Sequence, residues 1–300
     1  MRILITGATG FVGQNLMLIL MNKCPETEIL LLCRNLEKAM GMFSDKKLVI
    51  AEAEAWEKVK AFNPDIVLHL ASLSTSRNDS DIVKPLLDSN ILYGVRLLDA
   101  LKECSNLRLF VNTGSFAEYR WGGESINDAY LYTATKSAFR VFVDYYSQLT
   151  GYKYINIIPY TIYGGKPTIK RLMDYILESM DSDAPVDMTA GEQILDFTHV
   201  DDLCDFYVHV VTHVNDLEQV KNGENFQIGT GKGTSIRELA AMMEEVYGKK
   251  CNINWGGRPY RDRDTMHAVA SIAKNIELLH WKAKIQLKDG IIKMKNHKYE

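Results

Sequence analysis

Tyr132 and Lys136 stand four residues apart in the segment Tyr132-Thr-Ala-Thr-Lys136, which reads as the start of a long helix. Spacing of i and i+4 puts a phenol and an ammonium on the same helix face. A tyrosine with a pKa of about 10 is a poor acid or base at neutral pH, and a nearby ammonium stabilises its phenolate. Such a pair can protonate a carbonyl oxygen as hydride arrives, or deprotonate an alcohol in the reverse direction. The pattern is common by chance, so its weight depends on what accompanies it.

A glycine-rich turn accompanies it. Thr6-Gly7-Ala8-Thr9-Gly10-Phe11-Val12-Gly13 follows a buried-strand run and precedes a helical one. Glycine permits the tight turn, lets backbone approach a pyrophosphate and allows close helix–strand packing. The amides and dipole of the following helix favour phosphate charge. Gly7, Gly10, Phe11, Val12 and Gly13 are therefore expected to hold a dinucleotide. The second strand then ends Leu32-Cys33-Arg34-Asn35, with no acid to accept from the adenosine ribose hydroxyls. Arg34 is instead suited to pair with a 2′-phosphate through charge-assisted hydrogen bonds. NADP, used as NADPH, is the expected cofactor.

The elements that must position these groups alternate. Strand-like runs fall at Ile3 to Thr6, Glu28 to Cys33, Leu48 to Ala51, Asp65 to Leu70, Leu107 to Thr113 and Tyr154 to Ile158. Helical runs separate them, the longer two at Val83 to Cys104 and Ala129 to Thr150. Continuous apolar strands are covered on both faces, so the rhythm predicts a Rossmann-type, doubly wound parallel α/β sheet. After Tyr163-Gly164-Gly165 the rhythm changes, and the strand at Asn225 to Gly229 reads as part of a smaller, discontinuous lobe. The expected division is 1–165 for the NADP-binding domain, with return segments near 195–215, and 166–300 mainly for a substrate lobe.

Composition narrows the class. A net charge of −3 leaves no basic footprint for nucleic acid, and a hydrophobic fraction of 46% excludes a disordered chain. The run Phe11 to Met21 is too short and too polar to span a membrane, and Met1 to Gly7 lacks the features of a signal peptide. Five scattered cysteines without a CxxC pair suit a reducing cytoplasm and argue against a zinc site. His209 and His213 have metal-pair spacing but no HExxH glutamate, so no metal is expected.

Gly7, Gly10 and Gly13, His69-Leu70-Ala71, Asn90 and the Tyr132/Lys136 pair together resemble the extended short-chain dehydrogenases of the epimerase/dehydratase family, which modify nucleotide sugars. Tyr163-Gly164, Gly191 to Phe197, Val200-Asp201-Asp202 and Phe226 to Gly231 extend the likeness over nearly the whole chain. The resemblance implies that Leu70, Ala71 and Asn90 join the cofactor site. It also implies that Ser115, with Thr113 as runner-up, bonds the substrate oxygen beside Tyr132. The late arginine of the family, which meets the sugar's diphosphate, corresponds best to Arg261, with Arg258 second. Helices equivalent to 83–104 and 130–150 form the dimer contact in the family, which implies a homodimer.

Within the family, sugar dehydratases carry Thr-Asp-Glu where this chain has Ser115-Phe116-Ala117. Glu118 is one position off and, in an extended segment, would face the opposite way. Arg34 argues for net reduction, in which NADPH is drawn from solution. The features Asn112 to Phe116, Gly191-Glu192-Gln193 and Gly229-Thr230-Gly231 are similar to the CDP-abequose and CDP-paratose synthase type. That similarity implies reduction of the C4 ketone of a nucleotide-linked 4-keto-6-deoxyhexose. Two departures bear on the substrate pocket: Ile158 and Leu195 stand where many relatives carry arginine. A nucleotide-sugar 4-epimerase and a noncatalytic NADP-binding regulator are the competing readings.

Overall fold

The structure is a computed structural model and describes residues 1–123, 125–165 and 169–297. In chain order the first half runs β1 (Arg2–Thr6), α1 (Phe11–Lys23), β2 (Glu28–Cys33), α2 (Leu36–Met42), β3 (Leu48–Glu52), α3 (Trp56–Phe62) and β4 (Ile66–His69). It continues through α4 (Ser80–Leu87), α5 (Tyr93–Leu101), β5 (Leu109–Thr113), α6 (Leu131–Thr150) and β6 (Lys153–Pro159). The second half holds β7 (Thr161–Tyr163), α7 (Leu172–Met180), β8 (Val186–Met188), β9 (Ile194–Leu195), β10 (Phe197–His199) and α8 (Val200–Thr212). Then come β11 (Glu224–Ile228), β12 (Thr234–Ser235), α9 (Ile236–Tyr247), β13 (Ile253–Trp255), β14 (His267–Ala268), α10 (Ala273–Leu279) and α11 (Leu287–His297).

Seven strands form one parallel sheet in the order β11-β6-β5-β4-β1-β2-β3. The chain winds outward one way from β1 to β3 and the other way from β4 onward. The reversal between β1 and β4 opens a crevice at their carboxyl ends, the usual ligand site of such sheets. Alternate strand residues feed two apolar layers. Ile3, Ile5, Leu68 and Val111 pack with α1 and α8, whereas Leu4, Val67 and Phe110 pack with α5 and α6. The doubly wound α/β fold expected from the strand–helix rhythm is therefore present.

One expectation is corrected. The strand expected at Asn225 to Gly229 in the smaller lobe instead joins the main sheet: β11 pairs in parallel with β6, Glu224 beside Ile155 through Ile228 beside Pro159. Its apolar residues Phe226 and Ile228 complete the layer under α8, so burial draws the strand onto the edge of the main sheet. The remaining second-half elements gather around a third core that includes Ile158, Met173, Ile176, Leu239 and Met243. Their strands are two or three residues long and pair as β13 with β8 and as β12-β9-β14.

Two local features position the site. Helix α6 starts where the Thr133 hydroxyl bonds both the amide and the carbonyl of Tyr130, and it ends at Gly151, whose φ of 86° terminates the last turn. Between α4 and α5 the helix widens into a π turn at Asp88–Leu92, which carries Asn90.

Candidate active site

Beyond β1 the chain turns through Gly7 at a φ of 75°, and the amide of Gly10 donates to the Gly7 carbonyl at 3.0 Å. A Cβ at Gly7 would stand 2.6 Å from the Ala71 nitrogen, and one at Gly13 would stand 2.2 Å from the Gly7 oxygen. Both positions exclude a side chain. Gly10 caps α1 without a side chain, so no side-chain cap takes the amides that open this helix. The hydroxyl of Thr6 bonds His69 Nδ1 at 2.9 Å and accepts from the Ala71 amide at 3.1 Å. Leu70 and Ala71 are thus drawn against the glycine turn. His69 is buried, which holds its imidazole down to about 3 and keeps it neutral, with the Lys136 charge adding to the effect.

Arg34 lies exposed just past β2, without a hydrogen-bond or ion-pair partner among the described residues. The Lys38 ammonium reaches the Thr9 carbonyl at 3.3 Å, so a second cation attends the turn. Sequence reasoning passed over Lys38, although it lies four residues after Arg34, beyond the Asn35 cap of α2.

Tyr132 occupies the first turn of α6 and Lys136 the next. The Lys136 ammonium donates to the Thr113 carbonyl at 2.9 Å, tying α6 to the end of β5. Burial pulls this lysine down to about 8, partly countered by the negative charge of Glu118. Burial first, and then Glu118, push the Tyr132 phenol above its ordinary value; the Ser72 and Ser74 hydroxyls and Arg171 act the other way. Ser72 and Ser74 belong to the loop after β4, and Asn90 braces that loop. Asn90 accepts from the Leu73 amide at 2.7 Å and donates to the Leu73 carbonyl at 3.0 Å and to Thr135 at 2.9 Å. Thr113 shares a 2.6 Å hydrogen bond with Tyr207 of α8.

Ser115 keeps extended dihedrals, φ −155° and ψ 143°, but the segment after it does not stay extended. Its hydroxyl accepts from the Ala117 amide at 3.3 Å, its amide donates to Glu118 at 2.6 Å, and Phe116–Glu118 closes into a 3-10 turn. Glu118 is turned into the protein, with Arg140 2.8 Å away. The expected strand geometry is corrected, while the carboxylate is spent on internal partners.

A cavity of about 460 Å³ is lined in part by Phe116, Tyr130, Arg171, Leu195, Arg258 and Arg261; Phe116 and Tyr130 bring it near Ser115 and the start of α6, but Ser115, Tyr132 and Lys136 do not line it. Arg258 and Arg261 thus face the same space, and the Arg261 guanidinium lies 3.9 Å from Asp264. Leu195 lines the wall, whereas Ile158 is buried in the core beneath it. The Arg171 guanidinium sits 4.2 Å over the Phe11 ring and so bridges the glycine turn and the cavity. No local pattern in the sequence points to Arg171, because only the tertiary fold brings the residue before α7 over the Phe11 ring. His209 and His213 stack at 4.2 Å, with His209 Nε2 2.8 Å from the Leu279 carbonyl. Among the described residues no group of three or more histidine, cysteine or acidic side chains could hold a metal ion.

A doubly wound sheet with a glycine turn after β1 and a Tyr–Lys pair on α6 defines the extended short-chain dehydrogenase class. Residues 3–229 match the NAD dependent epimerase/dehydratase family, and the chain belongs to that family. CDP-abequose synthase of Yersinia pseudotuberculosis is 27% identical over 89% of this chain and 91% of its own length. CDP-abequose synthase of Salmonella typhimurium is 25% identical over 96% and 95%, respectively. Among solved structures, UDP-glucuronic acid 4-epimerase from Bacillus cereus superposes with a TM-score of 0.85 at 22% identity, covering 99% of this chain and 98% of its own. That protein was solved with UDP-glucuronic acid and NAD. UDP-glucose 4-epimerase from Thermotoga maritima gives 0.82 at 19%, covering 100% and 99%.

Proposed function

We propose that the protein reduces the C4 ketone of a nucleotide-linked 4-keto-6-deoxyhexose with NADPH. The observation that carries this reading is the 2.9 Å bond from Lys136 to Thr113, which joins the Tyr132 helix to the strand end leading to Ser115. The CDP-abequose synthases support it from sequence at 27% and 25% identity.

The glycine turn fits a dinucleotide, since a Cβ at Gly7 or Gly13 would fill the space that the close backbone approach requires. Gly7, Gly10, Phe11, Val12, Gly13, Leu70 and Ala71 would hold it, with Asn90 acting through the loop it braces. When bound, NADPH supplies a hydride to the carbonyl carbon. Exposed Arg34, with Lys38 nearby, is suited to the 2′-phosphate. Tyr132 gives its proton to the sugar oxygen as charge develops there, and Ser115 orients that oxygen by a hydrogen bond. Lys136 binds the nicotinamide ribose and, as a cation on the same helix face, favours the phenolate, beside the Ser72 and Ser74 hydroxyls and Arg171 that oppose the effect of burial. In the cavity, Arg261, Arg258 and Arg171 present cations to a diphosphate, in place of the arginines replaced by Ile158 and Leu195.

In this reading, residues 1–165 with the return segment bind the cofactor and the remainder mainly shapes the sugar site. The protein works as a cytoplasmic homodimer. Val141, Tyr145 and Leu149 form an i, i+4 stripe on α6, each more than half exposed (70, 60 and 56%), which suits a helix–helix contact with a second copy. Among the described residues no helix is long and apolar enough to cross a membrane.

The competing activity is 4-epimerisation, as in the superposed epimerases. A panel of CDP-, dTDP-, UDP- and GDP-linked 4-keto-6-deoxyhexoses with NADPH separates the two. Reduction consumes NADPH one-for-one with the ketone; an epimerase turns over with no net loss of NADPH.

A further inference from the structure

Behind Ser115 lies a buried ion pair for which the proposed reaction has no direct use. Glu118 is wholly inaccessible to solvent, at 0% exposure, so it does not touch a substrate. One carboxylate oxygen accepts from the Ser115 amide at 2.6 Å. The other accepts from the Ser137 hydroxyl at 3.2 Å and lies 2.8 Å from Arg140 Nη2. Arg140 in turn donates through Nη1 to the Tyr119 hydroxyl at 2.7 Å and to Asn225 at 2.9 Å.

Gly114 makes room for this arrangement. A Cβ there would stand 2.6 Å from the Glu118 carboxylate and 2.8 Å from Arg140. The three residues Thr113, Gly114 and Ser115 are therefore gripped from two sides. Lys136 holds the carbonyl of the first, and Glu118 holds the amide of the last. A buried ion pair is a weak device for stability alone, because apolar side chains of similar volume hold a turn as well or better. Its charge, however, lies between the Ser115 turn and the Tyr132 helix.

We propose that Glu118, held in place by Arg140, is a positioning residue that fixes the Ser115 turn and sets the electrostatic field at Tyr132 and Lys136. The inference rests on the reading of Ser115 as the group that orients the substrate oxygen. Lys136 is faced by Glu118 from the turn, by Arg140 from its own helix and by His69 from β4. Tyr132 is faced by Glu118, by Arg171 at the start of α7 and by the Tyr207 phenol of α8. Asp128 faces Arg140 and is joined to Glu118 through Ser137. The negative charge of Glu118 raises both Tyr132 and Lys136, so neutralising it lowers both. With Tyr132 as proton donor, the basic limb of the pH–rate profile then moves to lower pH.

The test compares Glu118→Gln with Ser115→Ala and Arg140→Lys, using whichever panel ketosugar the protein reduces with NADPH. Glu118→Gln is expected to lose kcat by roughly tenfold or more, as misplaced catalytic groups do. Its basic limb should fall, while NADPH binding measured by calorimetry stays at the wild-type value. Arg140→Lys keeps the countercharge but gives up the Nη1 bonds to Tyr119 and Asn225, so its basic limb should stay at the wild-type position even where kcat falls. Should Glu118→Gln fail to fold, the double variant Glu118→Gln/Arg140→Gln leaves no unpaired charge and carries the same comparison. A folded variant with wild-type kcat and an unmoved limb, beside an impaired Ser115→Ala, overturns the positioning role alone. Near-normal turnover of Ser115→Ala overturns the reading of Ser115, and this inference with it.

Discussion

The Lys136 ammonium lies 2.9 Å from the main-chain oxygen of Thr113, so the helix that carries Tyr132 is bonded directly to the strand end leading to Ser115. This bond is made by a charge that the fold would otherwise exclude, since burial draws Lys136 down to about 8. The desolvation is a cost to stability, and the proposed gain is to chemistry. Lys136→Met should therefore lower kcat by about 100-fold or more while thermal stability changes little, the relieved desolvation offsetting the lost bond to Thr113. Paired kinetics and thermal unfolding check this. A variant that loses several degrees in Tm but keeps its turnover would contradict it.

Arg34 sits exposed where the adenosine end of a dinucleotide is expected, with Lys38 beside the turn. Charge-assisted hydrogen bonds are worth roughly 1.5–3 kcal/mol, so Arg34→Ala should cut kcat/KM for NADPH by about 10- to 100-fold. The value for NADH should barely change. Steady-state kinetics with both cofactors decide the matter, and a wild-type preference for NADH would remove the role given to Arg34.

Gly13 needs no unusual backbone conformation, so its requirement is purely spatial: a Cβ would meet the Gly7 oxygen at 2.2 Å. Gly13→Ala should cost on the order of 1–3 kcal/mol of stability as the turn is forced outward. Calorimetry should find NADPH binding abolished or greatly weakened. Wild-type affinity in the variant would show that the turn does not hold the dinucleotide.

His69 provides a pH signature of the fold itself. Its value in the folded protein, about 3, lies below the ordinary 6.5, so the unfolded chain binds more protons between those limits. The stability associated with neutral His69 is fully present above pH 6.5 and is lost as pH falls toward 3. The greatest slope for one proton is roughly 1.4 kcal/mol per pH unit. Urea unfolding between pH 7 and 4.5 should show a steeper loss for the wild type than for His69→Phe. Equal slopes would contradict a buried, neutral imidazole.

How much of this was legible in the sequence varies with the range of the interactions. Continuous apolar runs such as Glu28 to Cys33 mark buried strands because both faces are covered, and β2 has those bounds. Strand β11 was misassigned because its partner, β6, lies some seventy residues earlier and no local pattern encodes that pairing. Second-half strands such as β9 and β12 are two residues long, too short for any periodicity to emerge. In the candidate site, the glycine turn and the Tyr132/Lys136 spacing are local and readable. The turn at Ser115 had a readable signal that was missed: Ser115 and Glu118 are spaced as a reciprocal capping box, and they form one. Arg171 had no such signal, since only packing brings it over Phe11.

Net reduction at C4 of the sugar, with Tyr132 as proton donor, leaves an isotopic signature. It is tested most directly with NADPH carrying deuterium at the transferable position of nicotinamide C4, mixed with the ketosugar panel and followed by mass spectrometry and NMR. One deuterium at C4 of the product alcohol is expected for each NADPH oxidised. The transfer should be nearly abolished in Tyr132→Phe, which still binds NADPH. Sugar turnover that leaves NADPH unconsumed and the product unlabelled would contradict net reduction.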